Sequence, residues 1–270
     1  MIVSPPGSGE MMLAISIDWG LLYERIFSPG GAFWKALATT VGIAVVSETF
    51  GIILGFVTWL SSRSRWWPIR AVTYAYMLAF RGTPLVVQVF FIYFGTNLFL
   101  GFALFPREIV VFGLEVPGAV LAGVVALSLN EGAYMSEIIR AGIDAVDRGQ
   151  MESALSVGMT RRLAMRRIIL PQAARIIVPP LGNQFNYMLK GTSLLAFIGV
   201  YELFRDAQLL YARNFQPVEV FIGVAFWYLL LTTLWSLVQV QIERRLGASE
   251  RGEEEPWSKR LLGIEAESRI

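Results

Sequence analysis

The sequence predicts an all-α, polytopic membrane protein with about five transmembrane helices and a two-helix loop on the cytoplasmic side. Three observations carry this. Of 270 residues, 55% are hydrophobic and only 16% charged, and the mean hydropathy is +0.55; charged residues make up about a quarter of soluble chains. The charges cluster between long apolar runs, so their pattern reports topology. The stretch Gln150–Pro171 is arginine-studded and amphipathic, the pattern of a segment lying along a membrane surface rather than through it.

Taken in order, residues 1–33 are expected to form an extracytoplasmic segment. No basic stretch precedes Met11–Ile17 and no cleavage site follows it, so a removed signal peptide is not expected. Trp34–Leu60 reads as the first apolar run long enough for a hydrocarbon core of about 30 Å. Arg63, Arg65 and Arg70, with Trp66 and Trp67 among them, mark its cytoplasmic boundary and put the N-terminus outside. Ala71–Leu100 is interrupted by Arg81-Gly82-Thr83-Pro84, and each half is short for a span. One long helix bent at Pro84 is expected, a re-entrant pair being the alternative. Phe105–Pro117, with Pro106, Arg107, Glu108, Gly113 and Glu115, reads as an outer loop, and Gly118–Ile139 as the third span, ending at Arg140.

The cytoplasmic loop, about residues 145–171, follows. Gly158 ends one short helix, because glycine takes the left-handed conformation of a helix C-terminus without a Cβ clash. A second helix is expected to stop before Pro171. Met165, Ile168 and Ile169 share its apolar face; Arg162, Arg166 and Arg167 flank or oppose it, and Arg161 falls on the apolar side. Ala173–Val200 is apolar but holds Pro179, Pro180, Gly182, Lys190 and Gly191, so a discontinuous helix lining a cavity is expected. Tyr201–Pro217 reads as polar and outside, and Glu219–Gln239 as the fifth span. Residues 34–242 thus form the membrane domain. Residues 243–270, with Glu253-Glu254-Glu255, form a solvated cytoplasmic tail.

Composition also excludes chemistries. There is no Cys and no His, which removes disulfides and thiol catalysis and leaves a transition metal only carboxylates. No metal or cofactor is expected, and without clustered carboxylates in a span an enzyme is not expected either. The Gly-x-x-x-x-Gly-Lys-Ser/Thr phosphate loop does not occur, so ATP chemistry would need a partner. The net charge of +2 and pI near 9.0 come from arginines beside spans, and nucleic acid is not an expected partner.

Glu152-Ser153-Ala154, then Gly158, then Ile168-Ile169-Leu170-Pro171 resembles the signature cytoplasmic loop of permease subunits of ATP-binding cassette importers. The run Leu129–Gly142, Arg81-Gly82-Thr83-Pro84 and Lys190-Gly191-Thr192-Ser193-Leu194 are similar to the polar amino-acid uptake branch of that family. The resemblance covers about Phe33 to Ile242. It departs at Ser153, where alanine is usual, and at Gly191, where an acidic or polar residue is common. It implies a permease that imports polar amino acids by alternating access in the bacterial inner membrane. It also implies a partner permease, identical or paralogous, an ATPase subunit and an extracytoplasmic substrate-binding protein. The helix before the glycine would enter a groove of the ATPase, a role carried onto Glu152, Ala154, Leu155 and Gly158. An ion-coupled carrier or channel without an ATPase is the alternative.

For the substrate path the candidates are Asn130 and Glu131 in the third span, Asn183, Gln184 and Lys190 in the fourth, and Arg81. An ionisable residue at membrane depth is costly enough to suggest function. Glu131 is expected to face a cavity and meet an ammonium; the alternative is a structural pair with Lys190 or Arg81. Arg81 itself reads equally as a snorkelling side chain or as a gate or dimer contact. Glu137 and Arg140 are expected to pair, and Thr192 and Ser193 to cap the helix segment that follows.

Overall fold

The computed structural model describes residues 17–111 and 113–247, with eleven α-helices and one β-hairpin among them. The expectations for the segment before Ile17 and the tail beyond Gly247 fall outside the described residues. Helix α1 (Trp19–Phe27) was not expected from the sequence. Asp18 caps it, its carboxylate accepting from the Leu21 N–H at 3.0 Å, which holds the Asp18 carboxyl below its ordinary pKa.

Helices α2 (Gly31–Ser62) and α6 (Gly118–Asp144) form the central pair. One face of α2 carries Thr40, Ala44, Ser47, Gly51, Gly55 and Thr58 at helical spacing, all buried. A Cβ on Gly51 would lie 2.6 Å from Glu131 Cγ, and one on Gly55 would overlap Met135. Close backbone approach over small residues is how helices gain packing energy in lipid, where apolar surface has no water to escape. The opposite face, with Phe50, Ile53, Phe56, Val57 and Leu60, is exposed, as a lipid-facing surface would be.

Helix α3 (Trp67–Gly82) is followed by α4 (Leu85–Phe90), which continues through a wide π-turn (Phe91–Gly95) into α5 (Thr96–Leu100). The two halves meet at 114°, not as one kinked helix. Thr83, ahead of Pro84, is extended (φ −121°, ψ 149°), the conformation that a following proline favours. The freed carbonyls are collected: Gln88 Nε2 donates to Phe80 O at 2.8 Å and Thr83 O at 3.0 Å, and Asn130 Nδ2 donates to Phe80 O at 3.1 Å. Side chains thus hold the corner at the Phe80 and Thr83 carbonyls. The expected outer loop contains an ordered antiparallel hairpin, β1 (Glu108–Val111) and β2 (Leu114–Pro117), turning at Gly113 (φ +81°) and leading directly into α6.

Helices α7 (Arg148–Ser156) and α8 (Arg161–Ala164) flank Gly158. The helix does not stop before Pro171: α8 runs through a π-turn (Met165–Ile169) into α9 (Leu170–Gly191). The widened turn just ahead of Pro171 absorbs the donor that proline lacks. Nor do Pro179 and Pro180 break α9, which passes through both. Side chains of the last helix bond to the backbone of this stretch, Gln239 Nε2 donating to Pro179 O at 3.2 Å and Trp235 Nε1 to Gly182 O at 2.8 Å. The discontinuity lies further on, where the chain tightens into a 3₁₀ turn (Thr192–Ile198) ending at Gly199. Thr192 and Ser193 do not cap forward; their hydroxyls donate back to Leu189 O and Lys190 O, a local alternative open to such side chains.

The segment expected to be a polar outer stretch holds α10 (Leu203–Asn214), packed through Leu203 and Ala207 against Phe33, Val220 and Val224. Its cap, Glu202, is fully buried and accepts from Phe204 N, Arg205 N and the Tyr228 hydroxyl. Helix α11 (Pro217–Arg245) closes the fold. Helices α2, α6 and α11 are long and apolar enough to cross a membrane, and the broken α3 to α5 pair passes the same test together. Helix α9, at 22 residues, has the length of a span, about 33 Å, but carries Asn183, Gln184, Asn186 and Lys190.

Candidate functional site

An open cavity of about 710 Å³ lies between α6, α9 and the start of α4, the size that takes a small molecule. Asn130, Glu131, Gln184 and Lys190 all line it, with Tyr134 and Tyr187. Asn130 and Glu131 sit on the face of α6 that meets α9, and helical spacing brings Gln184 and Met188 to the same wall. Asn183, one position round from Gln184, is exposed and does not line the cavity. Arg81 does not reach it either. Its guanidinium lies 3.9 Å from Glu137 Oε2 and 5.8 Å from the Tyr134 ring centre.

Glu131 is 4% exposed. Gln184 Nε2 donates to both of its oxygens, at 3.1 and 3.4 Å. Neither Lys190 nor Arg81 is ion-paired with it among the described residues; Lys190 Nζ stands 5.1 Å from the Tyr187 ring centre. Glu131 therefore has a neutral hydrogen-bond partner and no ion-pair partner among the described residues. Asn130 is tied down: its two amide hydrogens go to Phe80 O and to Gln88 Oε1 at 2.9 Å, so only its carbonyl oxygen is free for a ligand. Glu137 pairs with Arg140, and Arg140 Nη1 also reaches Asp144 at 3.0 Å.

The surface helix pair is built around Gly158. Its φ is +83°, its N–H donates to Leu155 O at 3.0 Å, and Met159 N–H donates to Ala154 O at 3.1 Å, the two bonds of a Schellman C-cap. Asp147 caps α7 and Thr160 caps α8. Met151, Met165 and Ile168 pack on Trp59, Ile139, Ile143 and Ile169, which fastens the pair to the ends of α2 and α6. Glu152 is exposed and Leu155 half-buried, whereas Ala154 is buried beneath α7. Val157, missed from the sequence, is 79% exposed at the tip; an apolar residue beside the turn glycine was the available signal. Arg161 points to solvent and not into the apolar side.

The family model described as "Binding-protein-dependent transport system inner membrane component" matches residues 47–248. The chain belongs to that family. The permease is 42% identical over 241 residues to the L-cystine transport system permease protein TcyB of Bacillus subtilis (strain 168), covering 87% of this chain and 94% of that one. It is 36% identical over 233 residues to the glutamine transport system permease protein GlnP of Escherichia coli (strain K12), covering 86% and 99%. A crystal structure of an amino acid ABC transporter with histidines aligns with a TM-score of 0.69 at 38% identity, over 79% of this chain and 94% of that one. The MetNI methionine transporter, at 15% identity and a TM-score of 0.63, shares the fold. The permease is a multi-pass inner-membrane component of an ATP-binding cassette importer, a class that works with an ATPase, a substrate-binding protein and a second permease. An ATPase-independent carrier is not favoured.

Proposed function

We propose that the permease imports polar amino acids by alternating access. The observation that supports this most directly is the cavity of α6 and α9, where buried Glu131 and the Lys190 ammonium bring opposite charges to one space. A zwitterion needs such paired polar surfaces inside a bundle. The names of TcyB and GlnP, transport proteins for L-cystine and glutamine, give the substrate class. ATP is hydrolysed in a separate subunit that docks on Glu152 and Leu155, with the Gly158 turn as the joint. A substrate-binding protein delivers from outside, and the second permease is an identical or paralogous chain.

The N-terminus lies outside and the C-terminus in the cytoplasm, because Arg63, Arg65, Arg161 to Arg167 and Arg244 all fall on one side. A cysteine introduced at Arg162, in a chain with no other, stays unlabelled by an impermeant reagent applied to intact cells; labelling from outside overturns the orientation. The function is tested by co-reconstituting the permease with an ATPase subunit and a substrate-binding protein that assemble with it and measuring ATP-dependent uptake over a panel of amino acids. Uptake of none of them refutes the proposal.

A further inference from the structure

The arginines of the surface helix pair take no part in the cavity or in the Gly158 turn. Arg162, Arg166 and Arg167 are exposed, on the side of α8 and its π-turn away from Met165, Ile168 and Ile169, which pack inward. None of the three forms an ion pair among the described residues. Leu163, lying among them, is 40% exposed. Arg162 and Arg166 are four residues apart, as are Leu163 and Arg167, so the outward face is a strip of cations around one aliphatic side chain.

Position decides what such a strip meets. The chain runs from α8 through the π-turn into α9 without a break, and α9 has the length of a span. Arg166 and Arg167 stand four and three residues before Leu170, where α9 begins, which is about 5–6 Å at the helical rise. The strip then continues onto α9 itself, where Arg167, Pro171 and Arg175 follow one another at helical spacing and all are exposed. Beside Arg175 the last helix ends: a Cβ built on Gly247 would lie 3.9 Å from Arg175 Nη1, and Arg244 and Arg245 are exposed there too. These three also lack an ion-pair partner among the described residues. Two helices thus bring six unpaired arginines to the level where their apolar lengths begin, the depth of lipid phosphates.

We propose that Arg162, Arg166 and Arg167, extended by Arg175, form a binding site for the headgroups of anionic phospholipids. A guanidinium forks onto two phosphate oxygens and keeps its charge, and Leu163 reaches the acyl boundary between them. The ATPase contact lies elsewhere, on Glu152 and Leu155 of α7, across the Gly158 turn. Lipid held at the arginines fixes α8 at the membrane on one side of that turn while α7 carries the ATPase on the other. The inference does not depend on which substrate is transported.

The chain has no cysteine, so Leu163→Cys accepts a single bimane fluorophore at the centre of the strip. The permease–ATPase complex is placed in nanodiscs, and quenching is compared for phosphatidylglycerol and phosphatidylcholine that carry the same spin-labelled acyl chain. An arginine near an anionic surface contributes about fivefold, so phosphatidylglycerol half-quenches at a mole fraction lower by at least about tenfold. In about 1 M salt, where charges are screened within about 3 Å, the difference collapses. Replacing Arg162, Arg166 and Arg167 together by Gln abolishes it, whereas replacing all three by Lys keeps most of it. Equal quenching by the two lipids overturns the proposal, as does an undiminished preference in the Gln variant. Quenching by neither lipid means that the ATPase covers the strip, which also overturns it. A bimane at Leu237, 64% exposed on α11, is quenched equally by both lipids. The same preference there assigns selection to the lipid shell as a whole and overturns the site.

Discussion

Substitution of Gly158 isolates one backbone angle as a functional quantity. Its φ of +83° lies in the left-handed region, and a Cβ built there meets nothing within 4 Å, so a new side chain costs conformational energy and not a clash. For an L-residue that cost is about 1–2 kcal/mol, smaller for asparagine and larger for β-branched residues. A shift of that size changes the ratio of formed to unformed turn by roughly 5- to 30-fold. The turn sets the angle between α7, which presents Glu152, and α8, which is anchored on the α2 and α6 ends. Substrate-stimulated ATP hydrolysis by the reconstituted complex should therefore fall in the order Gly158, Gly158→Asn, Gly158→Ala, Gly158→Val, with the melting temperature of the complex little changed. A Gly158→Val complex with the wild-type stimulated rate refutes the reasoning. Equal loss for Asn and Val also refutes it, because that pattern tracks size or polarity and not φ.

Three further expectations follow from the packing and charges. Glu131→Gln assembles normally but takes up substrate weakly and shifts preference between basic and neutral amino acids, read by uptake across a panel beside thermal melting; unchanged uptake sinks the role given to Glu131. Gly51→Leu overpacks the α2–α6 crossing at Glu131 and lowers the melting temperature by an amount worth about 1–3 kcal/mol or more; a wild-type melting curve would show that the helices do not approach as described. Tyr201 donates to Asp206 Oδ1 at 2.5 Å, and burial together with that carboxylate pushes its phenol up to about 12. Its ordinary pKa is about 10, so its contribution is complete below about pH 10 and is lost as pH rises through about 12. Melting curves of Tyr201→Phe should lack that loss between about pH 10 and 12, and an identical alkaline slope in both proteins contradicts the assignment.

The sequence by itself determined where the apolar runs lie and which residue must turn. Trp34–Leu60 and Glu219–Gln239 fall inside α2 and α11, and the left-handed Gly158 stands where one helix had to end. These are local properties: run length is set by bilayer thickness, and a glycine's freedom by its missing Cβ. The two buried acids at the α2–α6 crossing were unequally legible for a physical reason. Glu131 was conspicuous among polar neighbours, while Glu48 was averaged away in a long apolar stretch, and nothing local says that both its oxygens are unpartnered. Tertiary structure alone decided how the prolines behave. Pro84 makes a sharp corner where Gln88 and Asn130 take the Phe80 carbonyl that it frees, while Pro171 follows a π-turn and Pro179 and Pro180 sit inside a helix that stays continuous, packed against α11 through Trp235 and Gln239. It also decided that Gln184 and not Asn183 joins Glu131, since one residue is about 100° of helix rotation and only packing chooses which face turns inward.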